Sequence, residues 1–216
     1  MLFRSQADVF ISEATFGLPI YRWETGAAVA RQILSWWQTE PEKPSVLFCY
    51  AFGKAQRVLA ELHQLGVEDT VLLHGAVDRL MGPYREAGVA MPPTMPLSQV
   101  PKGESLAGRL VIAPPAAHRS RGMARLAKAQ NGFVSGWMAV RGARRRRGYG
   151  RGFVMSDHAD WAGLVRSVQE SQAQQVYVTH GQSTVLSRYL REMEGINAEP
   201  LEGAFEAERF DEEETP

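Results

Sequence analysis

Apolar positions recur along this chain with two alternating periods. Short unbroken runs mark strands: Val9–Ile11, Ser45–Tyr50, Thr70–His74, Arg109–Ala113, Gly132–Ser135, Gly152–Met155 and Gln175–Thr179. Between them the spacing turns helical. Thr25 can N-cap a helix through about Gln38, with Val29, Ile33, Leu34 and Trp37 on one face. Val58, Leu59 and Leu62 do the same within Gly53–Leu65, and further helices are predicted at Asp78–Ala87, Ala116–Ala129, Trp161–Glu170 and Ser183–Met193. Strand-then-helix alternation predicts an α/β fold with mostly parallel strands. Pro92, Pro93, Pro96 and Pro101 predict that Ala90–Glu104 is a loop, and Gly142, Gly148 and Gly150 predict another at Arg141–Arg151.

Composition changes little in that picture but excludes several classes. At 216 residues, 44% hydrophobic and 22% charged, the chain is neither disordered nor collagen-like. Its single cysteine, Cys49, sits in the apolar run Val46–Tyr50 and is expected to be a buried small hydrophobe in a reducing compartment. No run approaches the ~18 apolar residues of a membrane span, and Met1–Gln6 has no apolar signal core. The expected location is cytoplasmic, without a membrane partner.

The formal net charge of zero conceals an asymmetry. Residues 202–216 hold seven acids and one arginine, leaving residues 1–201 with 23 bases and 17 acids, a net charge of +6. Six arginines fall at Arg141, Arg144, Arg145, Arg146, Arg147 and Arg151. A basic body fits nucleic acid as a partner; the tail is expected to be a disordered terminus.

Of five histidines, His63 falls mid-helix, His74 ends a strand and His118 lies near Arg119 and Arg121. His158 and His180 follow the apolar strands Phe153–Met155 and Val176–Val178, at the strand ends where open α/β sheets place ligands. Asp157 and Asp160 frame His158. Other enzyme classes find no support: there is no G-x-S-x-G elbow, Gly53-Lys54 lacks the rest of a P-loop, and two histidines are too few for a zinc site.

Several of these segments together resemble the later motifs of the β-CASP metallo-β-lactamase nucleases. They are Ser12-Glu13-Ala14-Thr15-Phe16-Gly17, Gly53-Lys54-Ala55-Gln56, Ser156-Asp157-His158-Ala159-Asp160-Trp161 and Val178-Thr179-His180-Gly181. Ser135–Gly142, running through the arginines into Arg151–Val154, is most similar to the bacterial ligase-associated DNA exonucleases. The resemblance spans residues 7–201. It implies a β-CASP parallel α/β block plus the C-terminal part of a metallo-β-lactamase αββα fold. The implied division is a partial lactamase segment at 1–19, the β-CASP domain at 20–140, and a lactamase segment with an Arg-rich loop at 141–201.

It also implies two zinc ions and phosphodiester hydrolysis of DNA, alongside ligase-associated repair proteins. His180 would be a metal ligand, His158 would contact the scissile phosphate and protonate the leaving oxygen, and Glu13 would hydrogen-bond and orient His158. The arginines would bind nucleic acid. The family's H-x-H-x-D-H cluster does not occur in this sequence, so the chain resembles the C-terminal portion only and is expected to be inactive alone. Two alternatives stay open: a non-catalytic nucleic-acid-binding module, and an RNA-processing nuclease resembling mRNA 3′-end processing factors.

Overall fold

A computed structural model describes residues 6–118, 120–140 and 148–201. The arginines from Arg141 to Arg147 and the acidic tail lie outside the described residues. The chain divides into two compact units, Met1–Arg22 with His158–Pro216, and Trp23–Asp157.

The larger unit is an α/β layer built on six parallel strands: β2 (Ser45–Phe48), β3 (Val71–Leu73), β4 (Thr94–Pro96), β5 (Leu110–Ala113), β6 (Gln130–Val134) and β7 (Arg151–Phe153). Their order is β4-β3-β5-β2-β6-β7. The middle strands β2 and β5 are buried at every position, as a parallel sheet covered on both faces requires. Alternate residues feed two separate cores. Leu47, Leu73, Ile112, Val134 and Phe153 meet helices α1 (Gly26–Trp37) and α2 (Lys54–Gln64). Val46, Phe48, Leu72, Val111 and Phe133 meet Val100, Leu106, Met123 and Met138 on the other face. Thr25 caps α1 as expected, its hydroxyl accepting from Ala28 N at 3.2 Å.

Three expectations require correction here. The proline-rich segment is not all loop, because Thr94–Pro96 pairs with β3 as the sheet's last strand. Proline has no N–H to donate, and an outer strand needs partners on one side only. The helix expected at Asp78–Ala87 is two short pieces, α3 (Gly75–Asp78) and α4 (Met81–Glu86). Pro83 cannot donate to the preceding turn and its ring would meet the carbonyl four residues back, so one continuous helix cannot pass through it. The stretch Ala116–Ala129 forms short 3₁₀ turns at Pro115–Ala117 and Arg121–Leu126 rather than an α-helix.

The smaller unit pairs the start of the chain with its end. β1 (Val9–Ala14), β8 (Gln175–Gly181) and β9 (Ala198–Pro200) form a parallel sheet in the order β1-β8-β9. Helices α5 (Trp161–Ser171) and α6 (Ser183–Met193) bury one face, packing Leu164, Val168, Leu186 and Leu190 on Val176, Val178 and Ala198. On β1 the alternate residues Val9 and Ile11 are exposed. The strand β7 pairs with β6 in the six-stranded sheet. Among the described residues, no helix is long and apolar enough to cross a membrane.

Candidate functional site

The parallel ladder between β1 and β8 runs in strict register from Val9↔Gln175 to Glu13↔Thr179, then skips to Ala14↔Gly181. His180 is the extra residue at that bulge. Its φ is 56°, left-handed for a side chain that has no glycine-like freedom, and such a conformation costs about 1 kcal/mol or more. Gly181 follows with φ 63°, and a Cβ there would stand 2.3 Å from the Ala14 carbonyl oxygen. That oxygen accepts amides from both Gly17 (2.9 Å) and Gln182 (2.8 Å). The close backbone crossing fixes where the two strands end. The exposed His180 ring has its Nδ1 3.1 Å from the Thr179 hydroxyl.

Glu13 reaches His158 from the same sheet end. One carboxylate oxygen, Oε2, accepts from Thr15 N at 2.5 Å, and the other, Oε1, lies 3.4 Å from His158 Nδ1. The Phe16 ring stands edge-on to the imidazole at 5.9 Å and to Tyr21 at 4.9 Å. The segment carrying His158 is pinned just beyond it. Asp160 caps α5 by accepting from Gly163 N at 2.8 Å, and Trp161 N donates to the Tyr21 carbonyl at 3.1 Å.

Glu13, His158 and His180 therefore belong to one compact unit, and Glu13 and His180 sit at neighbouring positions of one strand pair. Of the three, only Glu13 and His180 lie at the end of a shared strand pair. β7, the strand before His158, belongs to the six-stranded sheet, so His158 arrives on a connecting segment and not from a shared sheet edge.

Asp157 belongs to the larger unit. Its carboxylate lies 3.7 Å from Lys54 Nζ and 3.9 Å from Arg57 Nη1, and Arg57 also donates to the Ser156 carbonyl at 2.7 Å. Lys54 is buried with its ammonium 4.7 Å from the centre of the Tyr50 ring. Burial pushes its pKa down, against the opposing pull of Asp157. The lysine at this helix start thus meets a carboxylate. Neighbouring Cys49 is fully buried, and burial pushes its thiol up to about 12, which fits the structural reading. His74 caps α3 through Nδ1, accepting from Ala76 N at 3.1 Å, while His118 packs against Phe48 and Tyr149 and His63 is exposed on α2.

A zinc pair demands several ligands, and the donor set does not supply them. Among the described residues there is no group of three or more His, Cys, Asp or Glu side chains able to hold a metal ion. These residues do not fit a two-zinc centre by themselves. Arg151 is exposed at the start of β7, and the other predicted nucleic-acid contacts, Arg141 and Arg144–Arg147, lie outside the described residues.

Sequence reading missed the supporting roles of Thr15, Phe16 and Thr179. The Ser-Glu-Ala-Thr-Phe-Gly segment held the signal for the first two: a carboxylate two residues before an amide, then an aromatic, then a glycine at a tight turn. Nothing in the sequence marked the left-handed backbone of His180 except the glycine after it.

Scanned against models of known protein families, the chain matches none. Over 188 residues, 86% of its length, it is 31% identical to a protein of Opitutus terrae described as a probable DNA ligase. The matched region makes up 18% of that protein, so the chain spans less than a fifth of the curated relative.

Proposed function

We propose that this chain acts on DNA and supplies the proton-donating side of a phosphodiester-hydrolysing site of the β-CASP metallo-β-lactamase type. The observation that carries the reading is the Glu13–His158 contact, 3.4 Å at Nδ1, beside the bulged His180. Glu13 holds the ring by one nitrogen, so Nε2 is the atom through which His158 serves a phosphate oxygen. As a water oxygen bonds to phosphorus and releases its proton to solvent, the bond to the sugar oxygen breaks and that nitrogen gives its proton to the departing oxygen. Glu13 sets the ring's orientation, anchored in turn by Thr15 N. His180 is the one side chain we assign as a metal ligand. The described donors do not complete a metal centre. The match to a probable DNA ligase supports DNA as the polymer.

The same shortage of donors favours a second reading, a DNA-binding module without catalysis. An NMR titration of the purified chain with a short oligothymidylate tests the site. The ring resonances of His158 and His180 are expected to shift with saturation while those of His63 stay. Binding that moves neither would overturn the site, and absence of binding would overturn DNA as partner. Added zinc or manganese is expected to bring no cleavage by this chain. Cleavage abolished by His180→Ala would overturn the conclusion that its donors are too few.

A further inference from the structure

The larger unit carries a second basic feature that the proposed hydrolysis does not use. A groove of about 480 Å³ runs between the outer face of α1 and the start of β7. Its walls include Arg31, Gln32, Ser35, Trp36 and Arg151, and no acid lines it among the described residues. Both arginines are exposed, and neither has a carboxylate partner among the described residues. The nearby Glu24 is engaged by Gln32, whose amide donates to it at 2.9 Å.

The aromatic wall is packed from behind. The Trp36 ring meets Phe153 edge-on at 5.4 Å, and the Arg151 guanidinium carbon lies 5.8 Å from the centre of the same Phe153 ring. Gly132 makes room for this packing, since a Cβ there would come within 2.9 Å of Phe153 and 3.3 Å of Trp36. Because β7 is the sheet's last strand, its outer backbone groups have no strand neighbour among the described residues.

We propose that this groove binds the backbone of single-stranded nucleic acid, a deepening of the nucleic-acid reading above on which it rests. Two unneutralised arginines suit successive phosphates, and the Ser35 hydroxyl adds a neutral donor. A half-buried tryptophan between them suits an unpaired base, because only single strands offer a free base face to an aromatic ring. Sequence is not read here, so binding is general.

Fluorescence anisotropy of the full chain with labelled oligothymidylate across a salt series decides the matter. Arg31→Ala/Arg151→Ala is expected to weaken binding and to flatten the slope of log affinity against log salt by about 1.4, two phosphates at ~0.7 each. Trp36→Leu is expected to lose about tenfold in affinity, the scale of one stacked base. Arg31→Lys/Arg151→Lys keeps the charge and should keep the slope, with unfolding midpoints confirming that each variant folds. An alanine pair that binds like wild type overturns the groove and leaves the nucleic-acid reading standing. Failure of the wild-type chain to bind overturns both. A lysine pair as shallow in slope as the alanine pair overturns the electrostatic assignment. Concentration-dependent dimerisation of wild type, lost in the alanine pair, would make the occupant a second copy of this chain and overturn it as well.

Discussion

Replacing Gly181 with alanine is the sharpest test of how β1 and β8 are joined. The added Cβ would stand 2.3 Å from Ala14 O, 2.6 Å from Ala14 C and 2.6 Å from Thr15 Cα. All three are backbone atoms, so no side-chain rotation relieves the overlap, and the end of β1 must move. A left-handed alanine costs about 1–2 kcal/mol. Displacing Ala14 also weakens the two hydrogen bonds to its carbonyl, from Gly17 and Gln182, each worth about 1 kcal/mol. The sum is about 3–4 kcal/mol, large for a single methyl group. Gly195 provides the control. It has φ 66° but open space within 4 Å of its Cβ position, so Gly195→Ala should cost only the conformational part, about 1–2 kcal/mol. Urea unfolding of the two variants, followed by circular dichroism, measures the difference. If Gly181→Ala is no more damaging than Gly195→Ala, the close backbone crossing is not what holds the strand pair.

Three further outcomes are expected. Glu13→Gln should lower stability by less than about 1 kcal/mol in urea unfolding, because both partners of the Glu13–His158 pair are substantially exposed; a larger loss would mean the carboxylate has a structural role. Burial, reinforced by Arg79, lowers the His74 pKa, so the native state binds this proton less readily than the unfolded chain. The stability gained is therefore present above the unfolded value of about 6.5 and lost as pH falls through the lower folded value; His74→Asn should keep the α3 cap and remove this term from the stability–pH curve. Cys49 should resist Ellman's reagent at pH 8 in the folded protein and react at once in denaturant, and prompt reaction under native conditions would contradict its burial.

The parts of the fold visible in the sequence are those whose burial is local and continuous. β2 and β5 are apolar runs because a central parallel strand is covered on both faces, and α1, α2 and α6 declare themselves through spacing on one face. Thr94–Pro96 hid behind proline, and Ala198–Pro200 has one buried residue, too little for any periodic signal. The sheet that β7 joins could not be read either, because a strand's neighbours are chosen across the fold and not along the chain. At the site, His158 and His180 stand out by following apolar strands, whereas Glu13 stands out only through its motif. The bulge that singles out His180 arises from pairing with β1, and locally only the glycine after it hints at it.

The pairing of β1 with β8 also sets a timetable for synthesis. Strand β1 leaves the ribosome before its partner, which lies more than 160 positions downstream. At ~5–20 residues per second that interval is roughly 10–30 s. The segment Trp23–Asp157 has its own sheet and two cores, so it can collapse during the delay. Its folding would shorten the effective loop that β1 and β8 must close, lowering the entropy of their late meeting. Tyr21 and Trp161, bonded at 3.1 Å, mark where the chain leaves the smaller unit and returns to it. Vectorial synthesis thus favours completing the inserted layer before the strand pair that bears Glu13 and His180.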